Sequence, residues 1–280
     1  MEVTQSLLPG RYPSLLDWAT NSLGGLVGVG MAWLLLRTAW LGHWHAARER
    51  WFSLRSGCAL VLMLLWPLGL LFPLPLPLGT GLSWERIQDP LIGLLVDVPW
   101  AQGWLEIVSD VPMPSERLAP VFECLGTLLG LFGPCMLAFS VTRPGWRRAV
   151  LVLVAALLGV AATTLSAAMN FGPVHAQAWL TPTVLPAVGT AVGLALLLLA
   201  APPRLAATLG MMALSAQIML VAQAPADPYF SLSLQAWEQG RFIHFHGLAQ
   251  WLGWAWPFAA LLFLAGRVSK AEPARRSSRP

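Results

Sequence analysis

The residues best suited to chemistry lie in the first thirty positions, where polar side chains recur at helical spacing. Asp17 and Asn21 are four residues apart, so on a helix they share one face. A carboxylate at a membrane boundary needs a partner, and Arg11 lies six residues earlier. Glu2 and Gln5 are one helical turn apart just upstream. The spacing predicts a cluster that either takes part in binding or only holds two helices together through an ion pair.

Two glycines extend this polar stripe along the same predicted helix. Gly24 and Gly28 follow Asp17 by seven and eleven residues, which keeps them on the same helical face. They form a small-xxx-small pair, a spacing that lets a second helix approach closely. We therefore expect a stripe that is polar at one end and lined by glycine further along.

The order of these residues resembles the signature of VanZ-like membrane proteins. The sequence reads Glu2-x-x-Gln5, then Pro9-Gly10-Arg11, then Asp17-x-x-x-Asn21-x-x-Gly24, followed by Gly28. In that family a helix ends in E-x-x-Q, a short turn provides the Arg, and the next helix carries D-x-x-x-N-x-x-G. The family places further spans before this element. Two interpretations stay open: a chain truncated at its N-terminus, or a polar first helix whose partners all lie within these 280 residues.

What the resemblance implies is a non-enzymatic membrane protein of the bacterial cell envelope. Its founding member is associated with low-level resistance to the glycopeptide teicoplanin, and no catalytic chemistry is settled for the family. The expected partners are the lipid bilayer, lipid-linked cell-wall precursors or other membrane proteins, and no cofactor is expected. The seven residues taken as motif or binding candidates, none of them catalytic, are Glu2, Gln5, Arg11, Asp17, Asn21, Gly24 and Gly28.

Composition independently assigns the chain to the membrane class. Hydrophobic residues make up 56% and charged residues 11%, and mean hydropathy is +0.64. Soluble domains average about 25% charged residues, so a soluble protein is excluded. The formal charge of +4 is interpreted as a topology signal and not as a nucleic-acid site.

Apolar runs of about 20 residues predict an all-α, polytopic bundle with about seven transmembrane helices. The predicted spans are 14–36, 57–75, 120–141, 149–169, 182–201, 203–222 and 247–267. The chain then divides into a partial VanZ-like domain (1–56), a six-helix membrane region (57–269) and a disordered basic tail (270–280).

The basic residues predict the orientation of these spans. Thirteen of the 17 lie in alternate loops and in the tail, on one side of the predicted membrane. Because Lys and Arg concentrate in cytoplasmic loops, we expect the N-terminus outside and the C-terminus inside a bacterial inner membrane.

Three further residues are weaker candidates for a site at the outer face. Residues 117–146 align with residues 11–40 so that Arg117 falls on Arg11 and Glu123 on Asp17, which suggests a decayed repeat or a chance match. His175, in a predicted outer loop, could act there as an acid or base. No cluster with metal-ligand spacing is present in the sequence.

The outer loops leave two alternative functions open. One is a membrane enzyme or transporter for a lipid-linked or anionic substrate, with a site built from Arg11, Asp17, Asn21, Glu123 and His175. The other is an assembly partner that docks another membrane protein through residues 88–110. We expect 88–108 to form one or two short interfacial helices, and 71–81, with proline at alternate positions, to be extended.

Overall fold

The computed structural model describes residues 15–37, 46, 48–53, 56–111, 118–225 and 247–269. This part of the chain is α-helical and contains no strand, as predicted. In chain order its helices are α1 (Leu15–Arg37), α2 (Gly57–Gly69), α3 (Trp84–Leu95), α4 (Gln102–Asp110), α5 (Pro120–Val141), α6 (Trp146–Phe171), α7 (Val184–Leu197), α8 (Pro203–Ala222) and α9 (Leu248–Ser269). Short 3₁₀ helices occupy Pro99–Ala101 and Pro173–His175.

The chain separates into two compact units, Met1–Phe52 and Ser53–Pro280. The first contains α1, a 23-residue apolar helix. The second contains α2 to α9 and all of the packing described below.

Four helices are long and apolar enough to cross a membrane, namely α5, α6, α8 and α9. Shorter apolar helical stretches lie at Ser22–Met31, Gly57–Gly69 and Val184–Leu197. Every predicted span therefore coincides with a helix, but α2 and α7 are shorter than the runs that predicted them.

The two short helices end early for identifiable reasons. In α2 the helix stops at Gly69, just before the prolines at 73, 75 and 77, which cannot donate helical hydrogen bonds. In α7 the helix stops at Leu197, and the next residues form a turn that leads to Pro202 and the start of α8. The short connection predicted at 201–204 is confirmed.

Helix α5 is the centre of the second unit. It packs against α2, α6, α7, α8 and α9, and 78% of its most apolar window is buried, against 22% for α6. Its small residues allow this contact: a Cβ added at Gly133 would lie 2.7 Å from the Leu214 side chain of α8. A helix that is apolar all round and enclosed in this way forms the core of a bundle.

Arg148, in the first turn of α6, joins the ends of two neighbouring helices. Its guanidinium donates to the backbone oxygens of Phe139 and Thr142 at the end of α5, at 2.9 to 3.2 Å. It also donates to Leu199 and Ala201 after α7, at 3.0 and 2.6 Å. The last carbonyls of a helix lack intrahelical partners and carry partial negative charge, so a buried cation is well placed there.

Arg148 is completely buried. It is one of the thirteen basic residues that predicted the orientation, and those residues were expected in loops and in the tail. Its ring contact with Phe139, 4.9 Å from guanidinium carbon to ring centroid, adds to the hydrogen bonds. Arg267, in the last turn of α9, donates to the Ser140 oxygen at 2.7 Å, at the same end of α5. Part of the basic excess at this end of the bundle therefore stabilises helix termini.

Helices α3 and α4 form the two short amphipathic helices predicted for 88–108. Gln88 joins them by donating to the oxygens of Val108 and Val111, at 2.9 and 3.0 Å. Trp100 and Trp104 are 81% and 62% exposed. An exposed aromatic face beside charged residues is typical of helices at the headgroup level.

We expect Arg148→Met to destabilise the bundle strongly, because it leaves four buried carbonyl oxygens without their donor. Each such loss costs about 1–3 kcal/mol, so the free energy of unfolding should fall by at least about 3 kcal/mol. The unfolding free energy of Arg148→Lys should lie between those of the wild type and Arg148→Met, since an ammonium cannot reproduce the planar fork of hydrogen bonds. Denaturation of the purified protein in detergent measures both.

Arg143→Met is the matched control, because Arg143 is exposed in the same connection. Its unfolding free energy should stay within about 0.5 kcal/mol of the wild type. Equal stability of Arg148→Met and Arg143→Met would contradict the role assigned to Arg148.

Candidate functional site

The candidate site surrounds the non-helical, proline-containing stretch between α2 and α3, residues 70–83, which we call the proline segment. Residues 71–81 were predicted to be extended; they are non-helical, but they contain bends and a tight turn. They were also expected in an outer loop, whereas Leu76, Leu78 and Thr80 are at most 1% exposed. The reason is that the segment lies against the glycine faces of the long helices and not on the surface of the bundle.

The innermost point of the proline segment is a tight turn. The Gly79 amide donates to the Leu76 oxygen at 3.0 Å, with Pro77 and Leu78 between them. Leu78 has φ +59°, the only positive φ of a non-glycine residue in the described part of the chain. A leucine in this left-handed region costs about 1–2 kcal/mol, and such strain persists only where the surroundings fix it.

Glycines on two long helices make room for this turn. A Cβ added at Gly126 would lie 2.6 Å from Leu76 Cδ1, and one at Gly130 would overlap the Leu78 carbonyl. On α6, a Cβ at Gly159 would lie 2.9 Å from Leu78 Cδ2. Gly126 and Gly130 of α5 therefore pack against the proline segment.

The turn lies near the middle of the bundle. Gly130 is the eleventh of the 22 residues of α5, and Gly159 is the fourteenth of the 26 residues of α6. Leu71, by contrast, lies beside Ser166 and Asn170, close to the end of α6. The proline segment therefore enters the bundle from the end where α5 begins and α6 finishes, reaches its middle, and returns.

Side chains from the helices provide partners for the segment's backbone. Ser166 Oγ and Asn170 Nδ2 donate to the Leu71 oxygen, at 2.8 and 3.4 Å. Gln217 Nε2, in α8, donates to the Thr80 oxygen at 3.2 Å. The Gly81 amide donates to the Gly253 oxygen of α9 at 2.9 Å. Non-helical backbone is tolerated at membrane depth only where protein or a cavity meets its polar groups in this way.

A small, mainly apolar cavity lies beside the proline segment and includes Glu123 in its lining. Glu123 is in the first turn of α5 and only 7% exposed, and Thr127, one turn further, is 1% exposed. The cavity has room for about one water molecule. Its lining residues are Pro75, Pro77, Glu123, Thr127, Trp179, Thr181 and Thr183.

Thr127 Oγ1 is buried and has no hydrogen-bond partner within the described residues. A buried hydroxyl without a partner costs about 1–3 kcal/mol, and Thr127 Oγ1 is one of several such buried polar atoms in the described part of the chain. Thr181 Oγ1 and Thr183 Oγ1 are hydrogen-bonded to each other at 2.8 Å on the opposite wall.

A second small cavity adjoins the first. It is bordered by Leu70–Leu78 of the proline segment and by α6 residues that include Thr163 and Ser166. Pro77 and Trp179 line both cavities. Trp179 is fully buried and donates from Nε1 to Thr164 Oγ1 at 3.2 Å, which fixes its ring as the partition between them.

Of the sequence-predicted site residues, Glu123 lies at this cavity. His175 lies in the 3₁₀ helix after α6, partly exposed and outside the lining of either cavity. The predicted meeting of His175 and Glu123 in one site therefore stays a prediction.

The remaining predicted residues lie outside the described part of the chain or in α1. Glu2, Gln5, Arg11 and Arg117 lie outside the described residues. Asp17 and Asn21 belong to α1, but the structure describes only their backbone. Gly24 and Gly28 also belong to α1, and no described helix of the first unit packs against them.

Sequence reasoning missed Trp179, Gln217 and Ser166 as parts of the site. The only advance signal was indirect: prolines at 73, 75 and 77 predicted a chain that cannot form helical hydrogen bonds and so needs other partners. Nothing in the sequence pattern identified which helices provide them. Among the residues described, no three His, Cys, Asp or Glu side chains are grouped as a metal site.

The chain was compared with known protein families, curated proteins and solved structures. No family, no curated protein and no solved structure matches it. The class of protein is therefore defined by the fold alone: an all-helical bundle with four helices suited to cross a membrane and a proline segment at its centre.

We expect Gly130→Ala to destabilise the protein, because the new methyl group would overlap the Leu78 backbone, which cannot rotate away. Overpacking of this kind costs about 1–3 kcal/mol. Gly193→Ala on α7 is the matched control, since an added Cβ there meets nothing within 4 Å. That control should be neutral or more stable by up to about 1 kcal/mol. Thermal unfolding in detergent would compare them, and equal melting temperatures would refute the close contact.

Proposed function

We propose that the protein is a non-enzymatic, VanZ-like integral membrane protein of the bacterial inner membrane that acts at the outer face. It would cross the membrane seven times, with its N-terminus outside and its C-terminus in the cytoplasm. The coincidence of all seven predicted spans with helices supports this proposal. The distribution of basic residues supports the orientation.

One observation supports action at the outer face more than any other. Glu123, Thr127, Asn170 and the two cavities lie at or towards the end of the bundle that the orientation assigns to the outside. The opposite end is occupied by Arg148 and its partners, which are hydrogen-bonded within the protein. These buried polar groups therefore lie towards the side on which the proposal places cell-wall precursors and glycopeptides.

Among the described residues, the two cavities beside the proline segment are too small for a substrate. Each has room for about one water molecule, whereas ligand pockets measure about 300–1,000 Å³. A group-transfer reaction also needs an acid and a base within reach of one substrate, and His175 does not line the cavity of Glu123. The VanZ-like assignment itself depends on the pattern from Glu2 to Gly28.

A transporter or enzyme for a lipid-linked or anionic substrate is the second candidate. It is favoured by the combination of a buried carboxylate and a non-helical segment at mid-depth, both of which occur in transport proteins. A convergence of Arg11, Asp17 and Asn21 on the Glu123 cavity would support it over the first.

The orientation can be tested with two matched serines in a chain whose three native cysteines are replaced by alanine. Ser109 and Ser269 are both exposed, in α4 and at the end of α9. In intact spheroplasts we expect an impermeant maleimide to label Ser109→Cys and to label Ser269→Cys only after lysis. The reverse pattern would overturn the orientation.

Teicoplanin susceptibility tests the proposed function. Expression of the chain in a susceptible bacterium should raise the minimum inhibitory concentration, and Asp17→Leu with Asn21→Leu should abolish the rise, because the pattern loses its polar face. Asp97→Asn, exposed and outside the pattern, should retain it. A membrane-inserted wild-type chain that leaves susceptibility unchanged would count against the proposal.

A further inference from the structure

Helices α3 and α4 form a two-helix unit that is connected to the bundle at both of its ends. Among the described helices, each of the two packs mainly against the other. Gln88 of α3 donates to the Val108 oxygen of α4, and both residues are buried. The unit begins where the proline segment leaves the bundle, and it is followed by the start of α5 at Pro120. Because both connections lead to the same end of the bundle, the unit lies at the boundary of the apolar helices.

One face of α4 presents large apolar side chains that stay exposed. Trp100, Trp104, Ile107 and Val111 follow one another at steps of three and four residues, so they form one stripe, which we call the tryptophan stripe. They are 81%, 62%, 61% and 38% exposed, respectively. A contiguous apolar patch of this kind marks a site of interaction with a membrane or a partner.

The exposed charges beside the tryptophan stripe are all negative. The exposed carboxylates of the unit are those of Asp89, Asp97, Glu106 and Asp110. Its one basic residue, Arg86, is half-buried, with its guanidinium carbon 5.6 Å from the centre of the Phe72 ring. Glu106 and Asp110 are four residues apart, so they share a face of α4 that differs from the tryptophan stripe. The unit therefore combines an apolar face with an acidic one.

We propose that α3 and α4 bind the membrane surface and select lipids with an ammonium-bearing headgroup of no net charge, such as phosphatidylethanolamine. Surface helices that bind anionic lipids carry Lys and Arg on their polar face, whereas this polar face carries carboxylates, which anionic headgroups repel. An ammonium group, by contrast, donates charge-assisted hydrogen bonds to carboxylates and is attracted to the face of a Trp ring.

The layout of the unit matches the layers of a bilayer surface. With the tryptophan stripe at the boundary of the acyl chains, the face that carries Glu106 and Asp110 meets the headgroups. Trp suits this boundary because its ring is apolar and its N–H is polar. A basic partner protein would also complement the carboxylates, but the two connections to helices suited to cross a membrane keep the unit within reach of lipid. The inference depends on α3, α4 and a bilayer, and not on the VanZ-like function.

The test uses the chain with its three cysteines replaced by alanine, labelled at Ile107→Cys with an environment-sensitive fluorophore and reconstituted in phosphatidylcholine nanodiscs. A small fraction of the lipid carries a nitroxide quencher on its acyl chain, in either phosphatidylethanolamine or phosphatidylglycerol. We expect the phosphatidylethanolamine quencher to act at least about twofold more strongly, because the carboxylates repel the anionic lipid. A label at Ser109→Cys, which is exposed on α4 but outside the tryptophan stripe, should be quenched less by both.

Two sets of variants separate the apolar contribution from the charged one. Trp100→Ser with Trp104→Ser should lower the quenching at residue 107 to the level at residue 109. Asp97→Asn, Glu106→Gln and Asp110→Asn together should keep the quenching but remove the preference between the two lipids. All of these positions are exposed, so the fold should be retained. The matched control is Trp146→Ser, at an exposed tryptophan in the first turn of α6, which should leave the quenching unchanged.

Three results would overturn the proposal, whatever the outcome of the teicoplanin experiment. Equal quenching by the two lipids would refute the selection of headgroups. Emission at residue 107 that is neither shifted nor quenched would mean that the tryptophan stripe faces water. Emission shifted to shorter wavelength without quenching by either lipid would mean that protein, and not lipid, covers the stripe.

Discussion

Backbone that leaves the helical path inside an apolar bundle must find hydrogen-bond partners among side chains, and this constraint governs the second unit of the protein. In the proline segment, the Leu71 oxygen accepts from Ser166 and Asn170, and the Thr80 oxygen accepts from Gln217. At the other end, Arg148 meets the last oxygens of α5 and those that follow α7. Each solution uses a polar residue drawn from an otherwise apolar helix.

The two ends of the bundle use this principle for different purposes. The arginines act on carbonyl groups that every helix terminus exposes, so their effect is to fix helix ends in register. The carboxylate and hydroxyls near Glu123 line a space that protein atoms do not fill. The contacts of Arg148 thus lie at one end of α5, and the Glu123 cavity lies towards the other.

The sequence was sufficient to predict the class of fold and the position of nearly every helix. Apolar runs of fixed length determine where helices form, and prolines at 73, 75 and 77 determine where α2 must stop. The amphipathic pattern of 88–108 likewise led to two short helices. These are local properties, and each is encoded within the stretch that displays it.

The site was harder to predict because its parts are distant along the chain. Gly130 makes room for Leu78 from 52 positions away (130 − 78), and no periodicity records that pairing. Arg148 was counted with the surface charges because its sequence neighbours, Arg143 and Arg147, are basic as well. Its burial depends on contacts with residues that follow α7, and these contacts form only in the tertiary structure. Glu123 was found only as an echo of Asp17, and its cavity depends on threonines beyond α6.

The order of synthesis imposes a delay on the proline segment. Thr80 is made well before Gln217 of α8, which donates to its oxygen and lies 137 positions further along the chain. At a translation rate of about 5–20 residues per second, that interval lasts roughly 7–30 s. Until α8 is made, the Thr80 oxygen lacks the donor that it has in the folded protein, and an apolar environment would leave it unsatisfied. The nascent chain must therefore keep this stretch in contact with water, or with the insertion machinery, until the helices that enclose it have been made. The proline segment, which is largely buried in the folded protein, is thus the part that depends most on assistance during synthesis.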